Sequence, residues 1–215
     1  MRCHPPEETL LGFSTGDADL AQRVLAEAHL AVCATCRQTV AEMAAAGGRL
    51  LASLPVQPPP SRLWQRISSG LAAEAEAGKL AATAPRADEL PLPAAARAEL
   101  PALGPLRWRS AWKGTSQFAL VHANPHDRGF LIAARAPRQS GFPAHEHLGP
   151  EDGVILSGGY DDEFGSFEVG DYAVYSAGSR HRPETDREEG CVILVRLELP
   201  NRFLGWRGWA QRLFS

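Results

Sequence analysis

Cysteine is scarce: four in 215 residues, at positions 3, 33, 36 and 191, make a poor disulfide framework. In a reducing compartment the Cys33-x-x-Cys36 pair points instead to metal or redox chemistry. No apolar run approaches the ~20 residues of a membrane span, and Met1-Arg2-Cys3-His4-Pro5-Pro6 lacks the apolar stretch of a signal peptide. The expectation is a cytoplasmic chain with no membrane partner. Basic excess is missing too: 22 Lys and Arg against 25 Asp and Glu give a net charge of −3 with both signs scattered. Such a chain has no basic surface for wrapping nucleic acid.

What is present suffices for two cores. The hydrophobic share is 44%, and 215 residues exceed the size at which one compact domain is the automatic reading. Residues 7 to 80 are rich in Ala, Leu, Glu and Arg with apolar positions at helical spacing, which predicts an all-α bundle of about four helices. Asp17 or Asp19 caps the second, about 17 to 31. The third, about 34 to 53, stops at Pro55 and Gln57-Pro58-Pro59-Pro60. Ser61 opens a fourth, where Leu63, Ile67 and Leu71 recur at helical spacing beside Trp64, so one face is apolar and needs a partner.

From 81 to 105 the sequence AATAPRADELPLPAAARAELPALGP, with five prolines, reads as an extended linker between domains. Beyond it, FALVHA, GFLIAARA, GVILSGGY, GSFEVGDYAVY and CVILVRLEL are strands separated by Gly, Asp and Pro. In the last, Cys191, Ile193, Val195, Leu197 and Leu199 share one face, with Arg196 and Glu198 on the other, the alternation of a barrel or sandwich wall. The all-β domain covers 106 to 200, and 201 to 215 form a C-terminal tail.

Two constellations carry chemistry. If a helical path continues through HLAVCATC, His29, Cys33 and Cys36 are four and three apart and point one way. Thiolate and imidazole suit zinc, and the fourth ligand of a structural site must come from elsewhere, from His4 or from its neighbour Cys3. The blander reading makes Cys33 and Cys36 small buried hydrophobes. In the second constellation, His145 and His147 at i and i+2 on a strand face the same side while Glu146 points away; Glu151 and His181 complete four ligands. Three imidazoles and one carboxylate suit zinc, iron, manganese or nickel. Residues 140 to 190 hold twelve carboxylates against three arginines, a local field that favours a cation.

His4, the acidic first helix and His29-x-x-x-Cys33-x-x-Cys36 resemble the zinc-binding anti-sigma domain. That resemblance implies a helical bundle, about residues 1 to 80, which sequesters an extracytoplasmic-function sigma factor. The fourth helix, with Leu63, Trp64, Ile67 and Leu71, is similar to the element that docks on the sigma factor; packing onto helices 1 to 3 is the alternative. His145-x-His147-x3-Glu151-x6-Gly158 and Gly170-x7-Gly178-x2-His181 resemble the two motifs of the cupin family, with Ser176 where Pro is usual and Thr185 where Asn is usual. Together the two domains resemble the ChrR family of anti-sigma factors. What this implies is release of the sigma factor on an oxidative signal, singlet oxygen or organic peroxide, sensed by the cupin domain. Two other readings stand beside it: a metal-dependent cupin oxygenase or isomerase, and a switch in which Cys33 and Cys36 form a disulfide and eject zinc.

Overall fold

A computed structural model of the chain describes residues 3–78, 90–100, 103–110, 116–123, 129–185, 188–198 and 201–204, without the side chains of 72–78. Five helices are described: α1 Glu7–Thr15, α2 Leu20–Leu30, α3 Ala34–Ala52, α4 Leu63–Gly78 and α5 Ala94–Ala98. Asp19 caps α2 reciprocally with Gln22, each side chain accepting the other's backbone N–H. Gly16 ends α1 in the left-handed region, at φ 81°.

Twelve short strands follow: β1 Arg109–Ser110, β2 Gln117–Ala123, β3 Phe130–Ala136, β4 Ser140–Gly141, β5 His145–Glu146 and β6 Glu151–Asp162. Then come β7 Gly165–Glu168, β8 Tyr172–Tyr175, β9 Arg180–His181, β10 Glu184–Thr185, β11 Cys191–Leu197 and β12 Arg202–Phe203. Nine form one sheet in the order β1-β2-β3-β11-β6-β10-β4, with β7 and β8 also on β6; β12-β5-β9 form a second. Every pairing is antiparallel. A bulge opposite Val192 and Ile193 bends the long β6, and Gly158 sits there at φ 65°, where a Cβ would meet the Gly190 carbonyl oxygen at 1.9 Å. No larger residue fits that corner.

The inward face of β11 is as the alternation predicts: Cys191, Ile193, Val195 and Leu197 share a core with Ile155, Tyr160 and Tyr175. Leu199 lies outside the described residues. The other face is not solvated. Leu131, Ala133, Val154, Tyr172 and Leu194 pack against Ala21, Val24, Leu25 and Ala28 of α2, so the helical part and the sheet share one core. The reading of 81 to 105 as an extended linker needs correction over its described part: α5 forms there, and Leu90, Ala96 and Leu100 are buried in that shared core. Proline at 91 and 93 breaks regular structure without preventing burial, because Leu90 and Leu92 offer apolar surface on either side; residues 79–89 lie outside the description. The tail also starts in the fold, since Arg202 and Phe203 pair with Glu146 and His145.

Arg196 is 3% exposed, although its place opposite the core suggested water. Its guanidinium meets the α2 cap Asp19 at 3.1 Å, Glu198 at 3.1 Å and Asp152 at 3.5 Å. Burial pushes Asp152 up to about 6 in spite of the arginine. Arg196→Ala strands these carboxylates at the junction, and the expected cost is about 3–5 kcal/mol, the usual penalty for half of a buried ion pair. Chemical denaturation of the variant checks this, with loss below 1 kcal/mol counting against a buried network.

Candidate metal centres

The first cluster gathers where α1, α2 and α3 meet. Leu10, Leu30, Cys33 and Cys36 form a small core with Phe13, Val40 and Met43 around it. The helical path assumed through Cys33 is interrupted. Cys33 is extended, at φ −98° and ψ 103°, and caps α3 by accepting the Cys36 N–H on its sulfur at 3.4 Å. The ligand atoms of His4, His29, Cys33 and Cys36 still lie within 4.8 Å of one another. His4 Nδ1 stands 3.4 Å from Cys33 Sγ and 3.3 Å from Cys36 Sγ. Cys3 takes another course: its N–H donates to Asp171 Oδ1 and its carbonyl accepts from the Tyr172 N–H, both at 3.1 Å, while its side chain packs on the barrel core.

His29 is fully buried, and its Nδ1 lies 2.7 Å from the Gly170 carbonyl oxygen, which can only accept. Nδ1 therefore carries the proton and Nε2 a lone pair, and Nε2 is buried with no hydrogen-bond partner among the described residues. Burial lowers the His29 pKa, so protonation does not relieve that lone pair. Burial and the adjacent Cys33 push the Cys36 thiol up to about 11. Two thiols and two imidazoles so placed suit a cation that replaces the thiol protons and takes the imidazole lone pairs.

The second cluster sits at one end of the barrel, on β5, the start of β6 and the end of β9. His145, His147, Glu151 and His181 are all buried, with ligand atoms within 4.8 Å of one another, while Glu146 turns outward to Arg180 and Arg202 as the alternation requires. His145 Nδ1 donates to the Pro143 carbonyl at 2.7 Å, and His181 Nδ1 donates to Asp162 Oδ2 at 2.7 Å. Their Nε2 atoms, left with lone pairs, face each other at 2.9 Å. Burial holds His145 down at about 4, so near neutral pH its own Nε2 carries no proton. Two opposed lone pairs at that distance call for a shared cation. His147 Nδ1 is 3.0 Å from Glu151 Oε2 but out of line, and neither of its ring nitrogens has a hydrogen-bond partner among the described residues. Burial works against the Glu151 charge, but His147, His145 and Asn201 outweigh it and hold its carboxyl below the ordinary value. The donor set therefore fits a divalent metal, here as in the first cluster.

Sequence reasoning missed the residues that orient these ligands. Asp162 takes hydrogen bonds from His181 and from the Tyr175 hydroxyl at 2.7 Å; burial opposes its charge, and these bonds keep its carboxyl below the ordinary range. Tyr175 stacks on His147, with rings 5.0 Å apart and 7° from parallel, and shares a 2.7 Å hydrogen bond with Tyr160. Asn201, at the start of what read as a tail, donates to Glu151 Oε2 at 2.6 Å. No sequence spacing announces these contacts, which depend on strand pairing across the barrel.

Fold and clusters together define a class: a helical unit built onto a cupin barrel, each carrying a four-residue group suited to a metal. Residues 99–199 match the family described as the ChrR cupin-like domain. The anti-sigma-E factor ChrR of Cereibacter sphaeroides is 26% identical over 214 residues, covering 94% of this chain and 92% of the relative. The crystal structure of Rhodobacter sphaeroides SigE in complex with the anti-sigma ChrR shares the fold at a TM-score of 0.68 and 22% identity, covering 92% of this chain and 99% of that one.

Proposed function

We propose that the chain is an anti-sigma factor, a regulator rather than an enzyme, whose helical part sequesters an extracytoplasmic-function sigma factor. One observation carries this beyond likeness to ChrR. Trp64, Ile67 and Leu71 of α4 are 72%, 43% and 58% exposed, and Leu50, Leu51 and Leu54 at the end of α3 are at least 60% exposed. Leu63 is half-buried. Apolar surface of this extent on a chain that already buries apolar clusters in its helices and its sheet suits a protein partner, and the exposure of Trp64, Ile67 and Leu71 weighs against packing of the α4 face onto helices 1 to 3. No described helix is long and apolar enough to cross a membrane, and the working place of this reading is the cytoplasm.

In the same reading His4, His29, Cys33 and Cys36 hold zinc as a structural ion, and His145, His147, Glu151 and His181 hold zinc or another divalent transition metal. A cation in the barrel would keep its ligands together and offer a position to an incoming oxidant or ligand. The chain's own residues then supply the connection to the helices. Tyr175, at the end of β8, stacks on His147 and bonds Asp162; just before and at the start of β8, the Gly170 carbonyl holds His29 while Asp171 and Tyr172 hold Cys3. One four-residue strand thus touches both clusters. An oxidative event that draws His181 away from Asp162 loosens the Tyr175 hydroxyl, and β8 carries the shift to the His29 contact and the sigma-binding helices.

Trp64→Ala tests the docking face. A buried interface tryptophan is worth about 2 kcal/mol or more, roughly thirtyfold in affinity. The variant should lose that much affinity for the sigma factor with metal content and helix content unchanged. Unaltered affinity would move the docking face elsewhere.

A further inference from the structure

The helical cluster takes part of its support from the barrel. Cys33 and Cys36 are placed by α3 and its cap, whereas both imidazoles depend on the turn between β7 and β8. Gly170, in the left-handed region at φ 88°, aims its carbonyl at His29 Nδ1, 2.7 Å away and 141 residues distant in sequence. His4 is the exposed member of the four and precedes the first helix. Its place depends on its neighbour Cys3, which is clamped from both sides: the Cys3 N–H donates to Asp171 Oδ1, and the Cys3 carbonyl accepts from the Tyr172 N–H. Asp171 is 1% exposed and is fixed in turn, its Oδ2 accepting the Glu168 N–H at 2.9 Å. The Tyr172 ring stands edge-on to His29, with centroids 6.1 Å apart.

We propose that residues 168–172 of the barrel form the outer shell of the helical metal site, with Asp171 as a positioning residue, so that the barrel sets how tightly His4, His29, Cys33 and Cys36 hold zinc. The inference rests on the reading of those four as zinc ligands. An imidazole whose far nitrogen donates to a fixed carbonyl is locked in the tautomer and orientation that offer the other nitrogen to the ion, and loss of such outer partners weakens binding about 10- to 100-fold. Ordering a loose residue costs on the order of tenfold in affinity, and the clamp on Cys3 orders His4 in advance. Linkage makes the coupling reciprocal. Zinc that grips His4 and His29 also holds the helices on residues 168–172, and movement of that turn loosens the ion.

Cobalt(II) is the probe, added to the full chain freed of metal and kept reduced. Thiolate-to-cobalt charge-transfer absorption reads the cysteine site apart from the barrel set, whose four ligands lack sulfur, and zinc then displaces the cobalt. Asp171→Ala should bind both ions about 10- to 100-fold more weakly with the absorption maximum unchanged, since both thiolates remain. Asp171→Asn keeps an oxygen for the Cys3 N–H and should recover most of the loss. Cys3→Pro removes the donor at the other end of the same bond while every barrel residue stays as it is. It should weaken binding to a similar extent and add little to Asp171→Ala, as two changes to one interaction do, and it carries the test alone if the aspartate variant does not fold. Unchanged affinity in Cys3→Pro and in a folded Asp171→Ala protein overturns the proposal. Absence of the charge-transfer band from the natural chain overturns it at its root, by showing that the cysteines hold no metal.

Discussion

Replacing Cys33 and Cys36 together by alanine should leave sigma-dependent transcription permanently on. Both thiols cluster with His4 and His29, and apparent binding free energies for structural zinc are about 10 kcal/mol or more, all of it available to folding. The N-terminal core has little else, with Leu10, Leu30 and the two cysteines as its buried apolar residues. The damage should nevertheless be local. α2 keeps its seat on the sheet through Ala21, Val24, Leu25 and Ala28, so α1 and α3 lose their arrangement while the barrel stays folded. Purified protein should fall from two metal equivalents to one. Persistent repression by the variant, with two equivalents retained, would remove zinc from the N-terminal cluster.

The opposite phenotype is expected for His145→Ala with His147→Ala: repression persists and no longer responds to the oxidant. The barrel core of Ile155, Tyr160, Phe167, Ile193 and Val195 does not depend on these imidazoles, and their removal also ends the close approach of the His145 and His181 lone pairs. Tyr175 keeps its hydrogen bonds to Asp162 and Tyr160, so β8 still presents Gly170 to His29 and the helical part stays assembled. Reporter transcription with and without organic peroxide, together with metal analysis, reads the result. If this variant instead releases the sigma factor without oxidant, the barrel ligands are part of the clamp rather than of the sensor.

Both clusters were legible because ligand chemistry is tied to short spacings. His145 and His147 lie two apart at the end of β5, and Glu146 between them turns away from the cluster to Arg180 and Arg202, as backbone alternation alone requires. The N-terminal set was legible for a partly different reason from the one that led to it. Cys33 and Cys36 converge through an N-cap turn, which keeps the i, i+3 approach without a continuous helix. The junction between the two halves was not legible. Val24 and Leu25 look the same in sequence whether they fill a helical bundle or cover a sheet, and Arg196 occupies the outward phase of β11 that normally meets water. Its burial depends on Asp19, 177 residues away in sequence. Asp162, Tyr175 and Asn201 escaped for the same reason, since each reaches its ligand through long-range strand pairing.

The most direct test is the dissociation rate of the purified complex with the cognate sigma factor, before and after an organic peroxide, for the natural chain and for His145→Ala with His147→Ala. The expected result is tight binding by both proteins and a dissociation rate that rises at least tenfold with oxidant for the natural chain alone. Failure of the natural chain to bind the sigma factor, or equal acceleration of both complexes, would contradict it.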